Sequence, residues 1–129
     1  EGDERRAIDS IMTRLRSLVE ETGAGIILVS HLRRVDGNKG HENGIEVSLS
    51  HLRGSNSIGQ LSDCVIALER NQQSDDVEEA RTTKLRVLKS RYTGDVGMAC
   101  SVVYDSETGR LSEVSDKDIE FDATLDELF

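Results

Sequence analysis

Residues 25–31 read Gly-Ile-Ile-Leu-Val-Ser-His, an apolar run that ends on two polar side chains. A continuous apolar run rich in β-branched residues is typical of a strand buried on both faces of a parallel sheet. Before it, apolar side chains between residues 8 and 19 recur at spacings of three and four, which predicts an amphipathic helix that ends at Gly23. A helix that leads by a short turn into a buried strand is half of a βαβ unit, so this stretch predicts an α/β fold.

Further strands are predicted downstream of this unit. Residues 64–69 are mostly apolar and predict a second buried strand. Residues 83–91 and 98–104 are predicted to form a hairpin through the turn at Gly94, and residues 110–114 a short last strand. Together these segments predict a mixed sheet with a C-terminal β-hairpin.

Three polar segments are predicted to connect the elements. Residues 31–46 leave the C-terminal end of the first strand, which is where open α/β sheets place their ligands. Residues 53–60 predict a loop before a short helix at 61–63, and the acidic residues 71–80 predict another loop.

The composition predicts one domain with a thin core, because only 36% of the 129 residues are apolar and 32% are charged. No run of 18 apolar residues is present, so we expect no membrane span. No leader with a basic, then apolar, then small-residue pattern opens the chain, so we expect no secretory signal. Cys64 and Cys100 lie inside predicted core strands, which favours a reduced cytosolic chain over a disulfide scaffold.

The net charge of −9 is concentrated at the C-terminus. Seven acidic residues and one lysine give residues 112–129 a charge of −6, so the rest of the chain carries only −3. We therefore predict a folded domain over residues 1–114 and a disordered acidic tail over residues 115–129, which is too charged to fold alone.

Several polar side chains are candidates for chemistry, and each also has a simpler structural interpretation. His31 ends the first strand and is either a sensor of a bound ligand or an exposed loop histidine. Lys89 and Arg91 lie on the same side of one predicted strand and are either a phosphate-facing pair or a solvated strand end. The even spacing of His31, His41 and His51 matches no zinc signature, so no metal site is expected.

Two loops supply further candidates. Arg33, Arg34 and Lys39 either contact nucleic-acid phosphates or form a solvated surface. Arg53, Gly54 and Ser55 form either a phosphate-binding loop or an ordinary turn, and they lack the spacing of a Walker A loop. Taken alone, these candidates do not identify a function.

Six short motifs, in their order along the chain, carry a resemblance that no single motif carries. They are His31-Leu-Arg, Leu52-Arg-Gly-Ser, Gln60-Leu-Ser-Asp, Ala67-Leu-Glu-Arg-Asn-Gln-Gln, Leu88-Lys-Ser-Arg-Tyr-Thr-Gly-Asp, and Tyr104 followed by Glu107-Thr-Gly. Over residues 3–114 the chain resembles the C-terminal half of the helicase domain of bifunctional primase–helicases from podophages. These proteins are replicative helicases with a RecA-like ATPase core, so the resemblance implies a RecA-like P-loop NTPase core fragment.

The resemblance implies a hexameric ring that hydrolyses ATP or dTTP with Mg²⁺ at its subunit interfaces, moves along single-stranded DNA and unwinds the duplex. His31 matches the γ-phosphate sensor of the family. Arg91 matches the arginine finger that reaches the neighbouring subunit's nucleotide, and Lys89 matches its companion cation. Arg70 and Tyr104 match positions that hold the nucleotide base, Tyr104 by stacking.

On the DNA side, the resemblance implies that Arg33 and Lys39 face DNA in the central channel. Arg53, Gly54 and Gln60 match the motif that links the nucleotide site to the DNA contacts.

The chain also departs from the family pattern. Gly37 and Gly59 stand at positions that are often basic in the family. Nothing matches a Walker A loop, and the resemblance places the Walker B aspartate upstream of Glu1, so the Mg²⁺ ligands are expected outside this chain. We therefore expect that this fragment alone does not hydrolyse ATP.

The acidic tail that ends in Phe129 resembles the family's C-terminal tail, which docks on a basic patch of the replicative polymerase. Negative charge steers such an encounter and an aromatic ring anchors it. The resemblance also implies a cytoplasmic location in a phage-infected bacterial cell.

Two alternatives remain open from the sequence. The first is a recombinase-type RecA-like ATPase that forms filaments rather than closed rings. The second is a non-enzymatic interaction module that recruits a basic partner through its acidic tail.

Overall fold

The computed structural model describes residues 2–33, 40–42, 44–52 and 56–114. In chain order the elements are α1 (Gly2–Thr22), a 3₁₀ turn (Leu49–His51), α2 (Ser57–Leu61), β1 (Cys64–Glu69), α3 (Val77–Arg81), β2 (Thr82–Ser90), β3 (Gly97–Tyr104) and β4 (Leu111–Val114). The four strands form one antiparallel sheet in the order β1-β2-β3-β4. Helix α1 packs against α2.

Helix α1 confirms the predicted amphipathic pattern. Met12 is buried, whereas Leu15 and Val19 on the same face are half-buried. The helix ends where the sequence predicted: Gly23 has a φ of +71° and its N–H donates to the carbonyl of Val19 at 2.9 Å. A residue with a side chain would be strained in this left-handed conformation, which glycine adopts without a steric penalty.

The C-terminal hairpin is also confirmed. β2 pairs with β3 from Thr82 opposite Val103 to Val87 opposite Gly97. The turn between these strands is closed by the Gly94 N–H, which donates to the carbonyl of Ser90 at 2.8 Å.

The first predicted strand is not formed. Residues 25–31 have no regular secondary structure, and the Ile27 and Val29 side chains are 97% and 89% exposed. A strand exists only when a neighbour accepts its backbone hydrogen bonds, and none of the described strands pairs with this segment. The parallel component of the predicted mixed sheet is therefore missing from the described residues.

β1 is present, but the prediction that both its faces are buried was wrong. Ala67 and Glu69 are buried, whereas Ile66 and Leu68 are 56% and 65% exposed and Cys64 is exposed as well. Cys100 is half-buried, and both thiols are free. The strand thus alternates between a covered face and an open apolar face.

Two short helices also differ from the sequence predictions. α2 lies at Ser57–Leu61 rather than at residues 61–63. Residues 71–80, predicted as a loop, contain the start of α3, whose N-cap Asp76 accepts a hydrogen bond from the Glu78 N–H at 3.0 Å. An aspartate before a glutamate-rich turn is a recognised helix start, so the sequence did carry this signal.

A buried ion pair crosses the covered face of the sheet. The Glu69 side chain is only 3% exposed and accepts from Arg86 Nε at 2.8 Å and from the Val47 N–H at 3.2 Å. Glu46 adds a longer contact to Arg86 at 3.5 Å from the solvent side. The hydrogen bond that Arg86 donates to Glu69 is the main reason that the pKa of Arg86 is raised.

No helix among the described residues is long and apolar enough to cross a membrane. The predicted acidic tail, residues 115–129, lies outside the described part of the chain.

Candidate functional site

The four predicted residues of the nucleotide site, Lys89, Arg91, Arg70 and Tyr104, lie at both ends of the sheet. Arg70 follows the end of β1, and Tyr104 is the last residue of β3, next to the start of β2. Lys89 and Arg91 lie at the other end of β2, whose nine residues separate the two ends. At about 3.3 Å per residue this separation is roughly 26 Å.

Three cationic side chains and one carboxylate lie together at the C-terminal end of β2. We call this group the Asp63 cluster, and it consists of Arg16, Asp63, Lys89 and Arg91. Asp63 Oδ1 accepts from Arg91 Nη1 at 2.7 Å, and Asp63 Oδ2 accepts from Arg16 Nη1 at 2.9 Å. These three side chains are 28–39% exposed, so the pairs are partly screened by solvent.

The two candidate phosphate-binding cations also bind the C-terminus of α2. Lys89 Nζ donates to the carbonyls of Gly59 at 2.7 Å and Gln60 at 3.0 Å, and Arg91 Nη2 donates to the carbonyl of Gln60 at 3.1 Å. The last carbonyls of a helix have no partner within the helix and favour a positive charge. The predicted placement of Lys89 and Arg91 on the same side is confirmed, and Gln60 joins them through its backbone.

Strand pairing explains why the cluster forms. Cys64 pairs with Ser90, so the residues next to them, Asp63 and Arg91, are brought together, and the Arg91 N–H donates to the Asp63 carbonyl at 2.8 Å. Arg16 reaches the same carboxylate from α1, which packs on α2. The Asp63 carboxylate is the main reason that the pKa of Arg16 is raised.

The two candidate DNA-binding segments begin next to an isolated β-bridge, which we call the clasp. Leu32 and Leu52 form an isolated antiparallel bridge, and the Arg33 N–H donates to the carbonyl of His51 at 2.8 Å. The chain before residue 34 and the chain before residue 53 are therefore held side by side. Among the predicted residues, Arg34, Lys39, Arg53, Gly54 and Phe129 lie outside the described part of the chain.

His31 and Arg33 are both exposed, and within the described residues the hydrogen bonds of Lys89 and Arg91 go to Gly59, Gln60 and Asp63 rather than to His31. A ring contact joins His41 to His51, with centroids 5.2 Å apart. Among the described residues, no group of three or more histidine, cysteine, aspartate or glutamate side chains could hold a metal ion. These residues thus do not fit a Mg²⁺ site, and we assign no Mg²⁺ ligand to them.

Arg70 lines a groove of about 450 Å³ together with Asn71, Glu79 and Lys84. Its Nη2 donates to Gln72 Oε1 at 2.9 Å. Tyr104 is 42% exposed and is not part of the lining of this groove. The structure places Arg70 and Tyr104 at the same end of the sheet but does not bring their side chains together.

Sequence reasoning did not identify Asp63 and Arg16 as site residues. Asp63 stands inside the Gln60-Leu-Ser-Asp motif, but the motif alone assigns it no role. Its partners lie 28 and 47 residues away along the chain, and no local pattern indicates such a pairing.

Comparison with known proteins gives two results. The family model described as "DnaB-like helicase C terminal domain" matches residues 1–113. The chain is also 44% identical over 115 residues to a protein of Enterobacteria phage T3 named "DNA helicase/primase". That match covers 89% of this chain and 20% of the phage protein, so the chain spans about a fifth of this relative's length.

Proposed function

The chain belongs to the DnaB-like helicase C-terminal domain family, and we propose that it is the C-terminal part of the motor of a replicative DNA helicase. The motor couples hydrolysis of ATP or dTTP to movement along single-stranded DNA and to unwinding of the duplex. We call the longer protein that carries this chain, with the Walker motifs, the parent protein. It acts in the cytoplasm of a phage-infected cell, and this fragment alone does not hydrolyse nucleotide.

The observation that carries the proposal is the Asp63 cluster. It joins the proposed arginine finger Arg91 and its companion Lys89 to the carbonyl of Gln60, which lies in the proposed DNA-coupling motif. A planar guanidinium that is always charged stabilises the charge that develops on a phosphoryl group during transfer. These contacts connect the residues proposed to act in hydrolysis directly to the motif proposed to couple hydrolysis to DNA binding.

The length of β2 supports action between subunits. Arg91 and the proposed base-binding residues Arg70 and Tyr104 lie at opposite ends of this nine-residue strand. A nucleoside triphosphate is shorter than the roughly 26 Å between those ends. We therefore propose that Arg91 acts on the nucleotide of a neighbouring subunit. The family resemblance favours a closed homo-hexameric ring over a filament.

The clasp at Leu32 and Leu52 supports the DNA side of the proposal. Arg33 and Lys39 contact the DNA backbone from one segment, and Arg53 and Gly54 from the other. Because the two segments start from paired residues, movement of one is passed to the other. His31, one residue before the clasp, reports the state of the γ-phosphate to both.

The test is Arg91→Ala in the parent protein. DNA-stimulated hydrolysis is expected to fall at least about 1,000-fold, which is the usual contribution of an arginine finger, whereas nucleotide binding is spared. Arg110→Ala removes an exposed arginine outside the cluster and is the matched control, with unchanged hydrolysis. Retained hydrolysis in Arg91→Ala would remove the finger role.

The acidic tail is proposed to dock on a basic patch of the replicative polymerase, with Phe129 as its anchor. Deletion of residues 116–129 is expected to abolish this binding at low salt while hydrolysis continues, because none of the proposed catalytic residues is removed. Phe129→Ala, which keeps all the charge, is expected to weaken binding about tenfold or more, as for an anchor residue. Polymerase binding that survives the deletion would contradict this role.

A further inference from the structure

A carboxylate without an assigned role lies behind the proposed finger. Asp63 Oδ1 accepts from Arg91 Nη1 at 2.7 Å, and the Gln60 carbonyl accepts from Arg91 Nη2 at 3.1 Å. The backbone adds the hydrogen bond from the Arg91 N–H to the Asp63 carbonyl. The guanidinium is thus held by acceptors at both of its terminal nitrogens.

These contacts leave several N–H donors of the Arg91 guanidinium available to bind an anion. Arginine has five N–H donors, and the contacts to Asp63 and Gln60 use one on each terminal nitrogen. Within the described part of the chain, three donors of Arg91 remain for an anion. The side chain is 39% exposed, so part of the fork is open to an incoming group.

Asp63 is itself fixed from a second element. Arg16 Nη1 lies 3.0 Å from Asp63 Oδ1 and 2.9 Å from Oδ2, so one nitrogen of α1 contacts both oxygens. The carboxylate orientation, and with it the Arg91 fork, depends on where α1 packs.

We infer that Asp63 is a positioning residue that orients the Arg91 guanidinium for a phosphoryl group, and that Arg16 anchors Asp63 to α1. The inference rests on the proposed finger role of Arg91. Asp63 does not touch the nucleotide. It fixes the fork before the neighbouring subunit's phosphate arrives, so the long side chain does not have to be ordered in the transition state.

The test is Asp63→Asn in the parent protein, a change that keeps the shape and removes the charge. We expect kcat for DNA-stimulated hydrolysis to fall about tenfold while KM for the nucleotide stays within about twofold, because orientation matters in the transition state. Binding of a nucleoside diphosphate with tetrafluoroaluminate, which mimics the phosphoryl group in transfer, is expected to weaken about tenfold as well. Binding of a non-hydrolysable triphosphate is unchanged.

Two comparisons separate positioning from a purely structural role. In the Arg91→Ala background, Asp63→Asn is expected to cause no further loss of tetrafluoroaluminate-complex binding, since the group that it orients is gone. Glu20→Gln removes the other carboxylate partner of Arg16, 3.3 Å away and 66% exposed, and is the matched control with no effect.

The inference is overturned if Asp63→Asn has no effect, if it weakens both analogues equally, or if its effect persists in the Arg91→Ala background. Should Asp63→Asn fail to fold, Arg16→Gln is the second variant. It is expected to lower kcat and to weaken tetrafluoroaluminate-complex binding about threefold each, because Asp63 still contacts Arg91 but is no longer held by α1. Normal tetrafluoroaluminate-complex binding in Arg16→Gln would then overturn it. Normal hydrolysis in Arg91→Ala instead contradicts the proposed function, so the two failures are distinguishable.

Discussion

At the scale of single residues, two carboxylates each accept hydrogen bonds from arginine side chains that lie far from them in the sequence. Asp63 does so near solvent, where it binds two arginines, and Glu69 does so on the covered face of the sheet. The sequence predicted that the Lys89 and Arg91 side chains lie on the same face of the strand, because side chains two residues apart in a strand point to the same face. It did not predict their partner, because Asp63 is brought to Arg91 only by the pairing of β1 with β2.

The buried pair predicts a stability effect at one residue. Glu69→Gln is expected to lower the free energy of unfolding by about 2–3 kcal/mol, since it leaves the Arg86 charge, 20% exposed, without its close carboxylate. The measurement is urea unfolding at neutral pH.

The matched control for that change is Glu46→Gln. Glu46 contacts the same guanidinium at 3.5 Å but is 73% exposed, so its loss is expected to change stability by less than about 0.5 kcal/mol. Equal effects of the two substitutions would mean that burial does not set the strength of the Glu69–Arg86 pair.

At the scale of elements, the predictions succeeded where an element completes its own hydrogen bonds. Helix α1 and the β2–β3 hairpin were predicted because periodicity and turn residues specify them locally. The prediction of a strand at residues 25–31 was wrong, because apolar character alone does not show whether another strand lies beside the segment to pair with its backbone. The sequence analysis does not predict α3, because its capping signal stands in a polar, acidic segment that is typical of a loop.

The segment around α3 predicts a pH effect. Glu79 accepts from the Ser74 hydroxyl at 2.7 Å and from Asn71 Nδ2 at 3.3 Å, and these bonds, the Ser74 bond foremost, lower the pKa of Glu79 below its usual 4.5. A carboxylate with a depressed folded pKa stabilises the fold above its unfolded pKa and loses that contribution as the pH falls through the folded value.

Glu79→Gln is therefore expected to lower the thermal unfolding midpoint at neutral pH, and the gap from the unsubstituted chain is expected to close below pH 4.5. Glu78→Gln, next to it in α3 but outside the Ser74 contact, is the matched control, and its effect on the midpoint at neutral pH is expected to be smaller. A Glu79→Gln gap that does not change with pH would contradict the assignment.

At the scale of the whole molecule, the chain matches only part of a longer relative. It spans about a fifth of the phage T3 relative, and its proposed finger and base-binding residues lie at opposite ends of the sheet. The six ordered motifs were enough to predict the RecA-like family. Residue spacing could not reveal the separation between the two groups, because it depends on how β2 runs through the sheet.

The most direct test of the central claim, that Arg91 completes the nucleotide site of a neighbouring subunit, is a mixing experiment. Parent subunits with Arg91→Ala are mixed with parent subunits whose Walker A loop is inactivated, and hydrolysis is measured on single-stranded DNA. Neither variant alone is expected to hydrolyse nucleotide, whereas mixed rings are expected to do so, because some interfaces join an intact phosphate site to an intact finger. Mixed rings that form but remain inactive would contradict action between subunits.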